Sequence, residues 1–323
     1  MQESIIQKSN LKKKILKHIL VLVTFLILTT IVTFPVVLDF GTEAAGQGCY
    51  DKCHMMWRMW WAGFSVDYKL DFHHTQYLFQ HLGTEVSGNH ARFTTGIGAM
   101  LQNIVGNTLT WNIIWLSGFV FGGYGAFLLA EHFTKNPFAS IIAGIIFTFS
   151  TYHIVHSNFH IGLSMIVWIP LFALILFKIL EKDSKLLIVL GSVFFFLASI
   201  THLYFLLFSI MFSIIFFAIY IFRQKKVSNK TFITNFSILI TIGLVSTSVL
   251  FLLNPASSDE FPNRTLSEHI KYSASLESLI LPGSTHTTQI ISDYGMNISF
   301  YSFFDKPVPI GEIEHLIFLG YSV

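Results

Sequence analysis

The feature that most constrains this chain is a series of apolar runs, each long enough to cross hydrocarbon and separated by basic clusters. The first, Ile19 to Val37, follows Lys12, Lys13, Lys14 and Lys17. As a helix rising about 1.5 Å per residue it covers the roughly 30 Å core of a bilayer. Further runs lie near Trp111 to Leu129, Pro137 to Ser150, Ile161 to Leu180, Leu186 to Phe222 and Phe232 to Leu253. Only 12% of the 323 residues are charged and 53% are hydrophobic, whereas an ordinary soluble domain carries about 25% charge. So few charges would leave a globule's surface too apolar for water. A soluble enzyme, a disordered regulator and a nucleic-acid binder are excluded on that ground.

The run from Leu186 to Phe222 is too long for one crossing and has basic residues at both ends (Lys182, Lys185; Arg223, Lys225, Lys226). Two crossings are expected, with the reversal at Ser199, Thr201 and His202. Placing every basic loop in the cytoplasm predicts an all-α polytopic bundle of about seven spans in the plasma membrane. Residues 1–18 form a cytoplasmic N-terminus, 19–254 the transmembrane domain with a long outer loop at 39–95, and 255–323 an outer tail. No small-residue cleavage site follows the first run, so it is read as a retained helix. Asn136-Pro137 has the form of an N-cap followed by proline at the first helical position. Gly118 and Gly122 stand at GxxxG spacing, which predicts close helix packing. The segment Gly96 to Val105 reads as either a half-buried or an interfacial helix.

Chemistry-capable side chains collect on one predicted face. Of 14 histidines, only His18 and His132 fall at cytoplasmic ends. His73, His74, His81 and His90 lie in the first loop, and His153, His156 and His160 follow the third span. Polar and ionisable groups are costly in hydrocarbon, so their gathering at one boundary points to a site. Within Cys49 to Trp61, helical spacing puts Asp51, His54 and Arg58 near one face with Trp57 and Trp61 beside them. Such a carboxylate, imidazole and guanidinium can deprotonate an acceptor and hold a phosphate. The tryptophans equally suit an interfacial belt, a sugar face or an isoprenoid chain. Cys49 and Cys53 leave both a local disulfide and a metal role open, and a divalent metal is left open as a cofactor. No phosphate loop, nucleophile elbow or dinucleotide fingerprint occurs.

The order of motifs resembles the C-type integral-membrane glycosyltransferases (GT-C), in particular their YfhO-like and protein-mannosyltransferase-like members. The motifs are Asp51 followed by Trp57, Trp60 and Trp61; Leu78, Phe79, Leu82 and Gly83; and Gly125, Ala126, Leu128, Leu129 and Ala130. Phe149, Ser150, Tyr152, His156 and His160 follow, then Trp168 to Leu171. The resemblance also takes in Tyr272 to Gly283 and Phe318 to Tyr321. It implies a polyprenyl-phosphate-linked sugar donor and inverting transfer to a glycan, lipid or protein acceptor at the outer face. Asp51 takes the place of the general base, with Asp39 in reserve. His54, Trp57, Arg58, Trp61, His81, Arg92, His153, His156 and His160 are the substrate-binding candidates, Arg58 and Arg92 for the donor phosphate on physical grounds. Departures are Tyr50 where a glycine is usual and Thr151 where a proline is usual.

The chain stops in an apolar run, Leu316 to Val323, and reads as the front part of that family. A noncatalytic fragment or accessory membrane protein is therefore the alternative. A transporter or flippase is less favoured, because few ionisable groups lie midway through the spans and no internal repeat is present. Asn263-Arg-Thr and Asn297-Ile-Ser are glycosylation sequons.

Overall fold

The computed structural model describes residues 2–46, 48–49, 51–78, 83–86, 91–223 and 230–253, and over these the chain is almost wholly helical. Helix α1 (Gln2–Val32) ends shortly before Pro35, which has no N–H with which to continue it. A 3-10 turn (Val36–Asp39) follows, then α2 (Asp51–Asp67). A two-residue hairpin pairs β1 (His74–Thr75) with β2 (Thr84–Glu85), antiparallel, with His74 opposite Glu85. Next come α3 (Arg92–Val105), α4 (Asn107–Thr134), α5 (Pro137–Thr148), α6 (Thr151–Phe159) and α7 (Ile161–Ser164). The described chain closes with α8 (Trp168–Glu181), α9 (Lys185–Thr201), α10 (Leu203–Arg223) and α11 (Lys230–Leu253).

Among the described residues, five stretches are long and apolar enough to cross a membrane: Leu11–Val32, Asn107–Thr134, Ile161–Glu181, Leu203–Arg223 and Lys230–Leu252. Helices α5 and α6 meet at a 45° bend and together make a sixth candidate. The remaining run of the sequence reading is α9, apolar but only 17 residues long. It ends at His202, whose extended backbone separates α9 from α10 at the predicted reversal. The α5–α6 bend has a local cause. Ser150 is extended and its Oγ accepts from His153 N at 3.4 Å, so a new helix is capped where the old one stops. The tail expected to lie outside, its sequons and the last two resemblance segments fall beyond the described residues.

Helix α4 is the central post, packing against α1, α3, α5 and α8. The GxxxG spacing does what packing requires of it. A Cβ on Gly118 would stand 2.6 Å from Ser164 O, and one on Gly122 3.0 Å from Ile166 Cγ1. Phe25 of α1 is wholly buried in a slot that exists because Gly123 and Gly144 lack side chains. A second core is built by α8, α9, α10 and α11 around Phe172, Phe195, Phe216, Phe232 and Leu239. Outward residues of α10 such as Leu207, Ile214 and Ile215 remain exposed, a surface suited to lipid rather than water.

The long loop expected at 39–95 is largely structured. Gly98 of α3 faces Met59 of α2, and one turn further along both helices Gln102 of α3 faces Gly63 of α2. These pairs advance together, so α2 and α3 run parallel and their N-termini share one end. The segment 96–105, for which the sequence allows two readings, lies in helix α3, which buries one face and exposes the other. It turns Thr94, Thr95, Gly98 and Gln102 inward and leaves Met100 and Ile104 exposed.

Candidate functional site

Residues 40–46 are latched to the start of α4 by Asn112, which is fully buried. Its Nδ2 donates to Phe40 O and Glu43 O, both at 2.7 Å, and its Oδ1 accepts from Ala45 N at 2.7 Å. Trp111 Nε1 adds a bond to Ala45 O at 2.9 Å. Lys52 Nζ then reaches back from α2 to Ala44 O and Gly46 O, and burial lowers its pKa. Cys49 and Cys53 are joined in a disulfide across the start of α2, with Cα atoms 5.0 Å apart. The local-disulfide reading of these cysteines is therefore the one realised, and no thiolate remains for a metal. Asp51 sits between them in the first helical turn, where a carboxylate favours the helix dipole.

From that turn Asp51 Oδ2 pairs with His160 Nδ1 at 2.8 Å, with Asp51 about half exposed and His160 mostly covered. His160 ends α6, whose inner turns hold the other two candidate imidazoles. His156 Nδ1 donates to Tyr152 O at 2.9 Å, and the His156 ring stacks on Tyr152 with centroids 4.2 Å apart. The His156 and His160 rings lie 6.2 Å apart. His153 differs. It is 0% exposed, and its two nitrogens face Thr148 O at 2.6 Å and Ser164 O at 2.7 Å. It ties the end of α5 to α7 and does not line an open surface. Asp39 is exposed in the 3-10 turn, and no described contact joins it to Asp51 or His160. His54 is exposed on α2, and His81, like His90, lies outside the described residues.

Seven residues beyond Asp51 on the same face of α2, Arg58 is only 2% exposed. Among the described residues its Nε has no hydrogen-bond partner, and no carboxylate lies within ion-pair reach. Burial, and secondarily the charge of Arg92, lowers its pKa to about 10, so it stays cationic at neutral pH. Arg92 begins α3 and anchors on the end of α11. Its Nη1 donates to Leu250 O at 3.1 Å, and its guanidinium lies 4.5 Å above the Phe251 ring. Burial lowers its pKa as well. Arg92 and the two parallel helix N-termini thus lie at one end of the α2–α3 pair, with Arg58 two turns further along α2, and their partial and full positive charges favour an anion between them.

An aromatic strip runs along the second half of α2. Trp57 stacks on Trp61 at 6.0 Å, Trp60 on Phe64 at 4.9 Å, and Tyr77 closes against Trp61 at 5.7 Å. Trp61, expected on a substrate face, is instead buried and donates to Phe72 O, so it braces the packing under α2, while Trp57 is half-buried. Among the described residues, no group of three or more His, Cys, Asp or Glu is arranged to hold a metal ion. The residue that sequence reasoning missed is Asn112. Its signal is an amide inside an apolar run, between Trp111 and Ile113.

A family model described as a domain of unknown function (DUF6311) matches residues 98–318, more than half of the chain. The match starts inside α3, so it takes in His153, His156 and His160 and begins after Asp51, Arg58 and Arg92. No curated protein and no solved structure matches the chain.

Proposed function

The chain belongs to the DUF6311 family, a domain of unknown function, and from its own residues we propose a membrane glycosyltransferase that uses a polyprenyl-phosphate sugar. In this reading the bundle makes seven crossings in the cell membrane, with the N-terminus cytoplasmic and the α2–α3 face outside. The observation that carries the proposal is the buried Arg58 guanidinium, unpaired by any described carboxylate and on the same helix face as Asp51. Seven residues at about 1.5 Å each separate the two by about 10 Å along the axis. That spacing suits a sugar held between a phosphate at Arg58 and an acceptor at Asp51.

Each group then has one task. Asp51, steadied by His160, accepts the proton of the acceptor hydroxyl. The acceptor oxygen bonds to the anomeric carbon as the bond from that carbon to the phosphate oxygen breaks, inverting the centre. The lipid phosphate leaves with the electron pair, its charge balanced by Arg58 and Arg92. The half-buried Trp57 and Trp60 and the exposed Tyr77 offer apolar faces to the sugar or the prenyl chain. The test is sugar transfer in membranes supplied with a panel of polyprenyl-phosphate sugars. Asp51→Asn is expected to lower transfer by roughly a hundredfold or more; transfer at the wild-type rate would remove Asp51 from the mechanism.

A further inference from the structure

At the far end of α4 from Asn112, the first helix carries a second feature independent of this chemistry. An open groove of about 330 Å³ runs between α1 and the start of α5. Its α1 wall is Lys13, Leu16, Lys17, Leu20, Val21 and Thr24, one continuous helix face, and Pro137 and Ile141 complete it. The groove wall itself is almost wholly apolar, with Lys13 and Lys17 lining one end through their stems. Everything beyond them is apolar, since the Thr24 hydroxyl is already satisfied by Leu20 O.

Charge and length together select an occupant. Lys17 is partly neutralised by Glu131 at 2.7 Å, while Lys13 has no described carboxylate within ion-pair reach, so the mouth is net positive. The N-terminus of α5 is closed by its own cap, Asn136 Oδ1 accepting from Phe138 N and Ala139 N, so the attraction for an anion comes from the lysines. From Lys13 to Thr24 the wall rises about 16 Å at 1.5 Å per residue, close to half of the roughly 30 Å hydrocarbon core. That is the depth of one leaflet. We propose that this groove seats one anionic phospholipid, its phosphate against Lys13 and Lys17 and one acyl chain along Leu16, Leu20 and Ile141.

The test is native mass spectrometry of the full chain released from detergent after exposure to phosphatidylglycerol or phosphatidylcholine with matched acyl chains. One retained copy of phosphatidylglycerol is expected, several-fold above phosphatidylcholine. Lys13→Gln is expected to weaken that retention about five-fold, the effect of one basic residue near an anionic headgroup. Lys12→Gln, turned about 100° away on the same helix, is expected to leave it unchanged. Leu20→Trp, which fills the groove from an exposed position, is expected to abolish the single-copy adduct. Equal retention of the two lipids, equal losses for the Lys12 and Lys13 variants, or an unaffected Leu20 variant would each overturn the proposal.

Discussion

Replacing Arg58 by methionine separates a group kept for a ligand from one kept for the fold. The guanidinium is 2% exposed, and burial brings its pKa down to about 10. At 1.36 kcal/mol per pH unit, that fall corresponds to about 3 kcal/mol working against the charged form. Methionine fills much of the same space without a charge and adapts to irregular gaps. Replacing even a buried ion pair by well-packed apolar side chains is often neutral or stabilising by roughly 1–4 kcal/mol, and a charge with no described counter-charge forfeits less attraction when it is removed. The expected result for Arg58→Met is a gain of about 1–3 kcal/mol in detergent, read as a rise of several degrees in Tm. The folded value lies below the unfolded one, so the cost is complete at every pH below about 10 and is relieved only as pH climbs towards the ordinary guanidinium value. The gain should therefore be flat between about pH 6 and 9. A polyprenyl-phosphate sugar at about a hundred times its Kd should stabilise the wild type by about 2.7 kcal/mol and leave the variant unmoved. If Arg58→Met instead lost about 3–5 kcal/mol, as breaking an internal buried pair does, the guanidinium would be serving the fold and the anion-site reasoning would fail.

Other expectations follow from the same contacts. Gly118→Ala puts a Cβ 2.6 Å from Ser164 O, where only backbone movement can relieve it, and should cost about 1–3 kcal/mol in thermal unfolding. Gly96→Ala meets nothing within 4 Å on helix α3 and should gain about 0.5–1 kcal/mol in the same measurement. Asn112→Leu strands two carbonyls and one N–H of the 40–46 segment and should cost at least about 2 kcal/mol, with faster proteolytic cleavage between residues 40 and 50. Glu131→Gln removes the partly exposed Lys17 pair and should shift stability by no more than about 1 kcal/mol. In intact cells an impermeant maleimide should label Cys49 and Cys53 only after reduction; no labelling until lysis would place this end of α2 inside.

The helices are legible because their signals are local. The apolar runs, the Asn136 cap before Pro137 and the polar break at His202 all depend on neighbours within one or two turns. Gly118 and Gly122 announce a close approach, although only the fold names Ser164 and Ile166 as the partners. What cannot be read depends on pairs far apart in sequence. The parallel packing of α2 and α3 rests on Gly63 and Gly98, which sequence spacing alone does not connect. Asp51 and His160 both stand out in the sequence, yet their pairing needs α6 to bend back across the start of α2. His153 has the same composition signal as His156, and only its two carbonyl neighbours make it a structural tie. Arg58 is expected near a phosphate, but its burial without a described counter-charge is visible only in the folded chain.

The bridge between Cys49 and Cys53 ties the protein's site to its manufacturing history. Cytosolic thiols are held reduced and secreted or periplasmic ones are oxidised, so two preparations of identical sequence can differ by two hydrogens at the first turn of α2. Without the bridge, the described contacts holding the start of α2 to the 44–46 segment are the Lys52 bonds to Ala44 O and Gly46 O, and the turn that carries the carboxylate facing His160 loses a covalent tie. Intact mass is therefore a control on every comparison of batches, because a low-activity sample and a half-reduced sample would otherwise look alike.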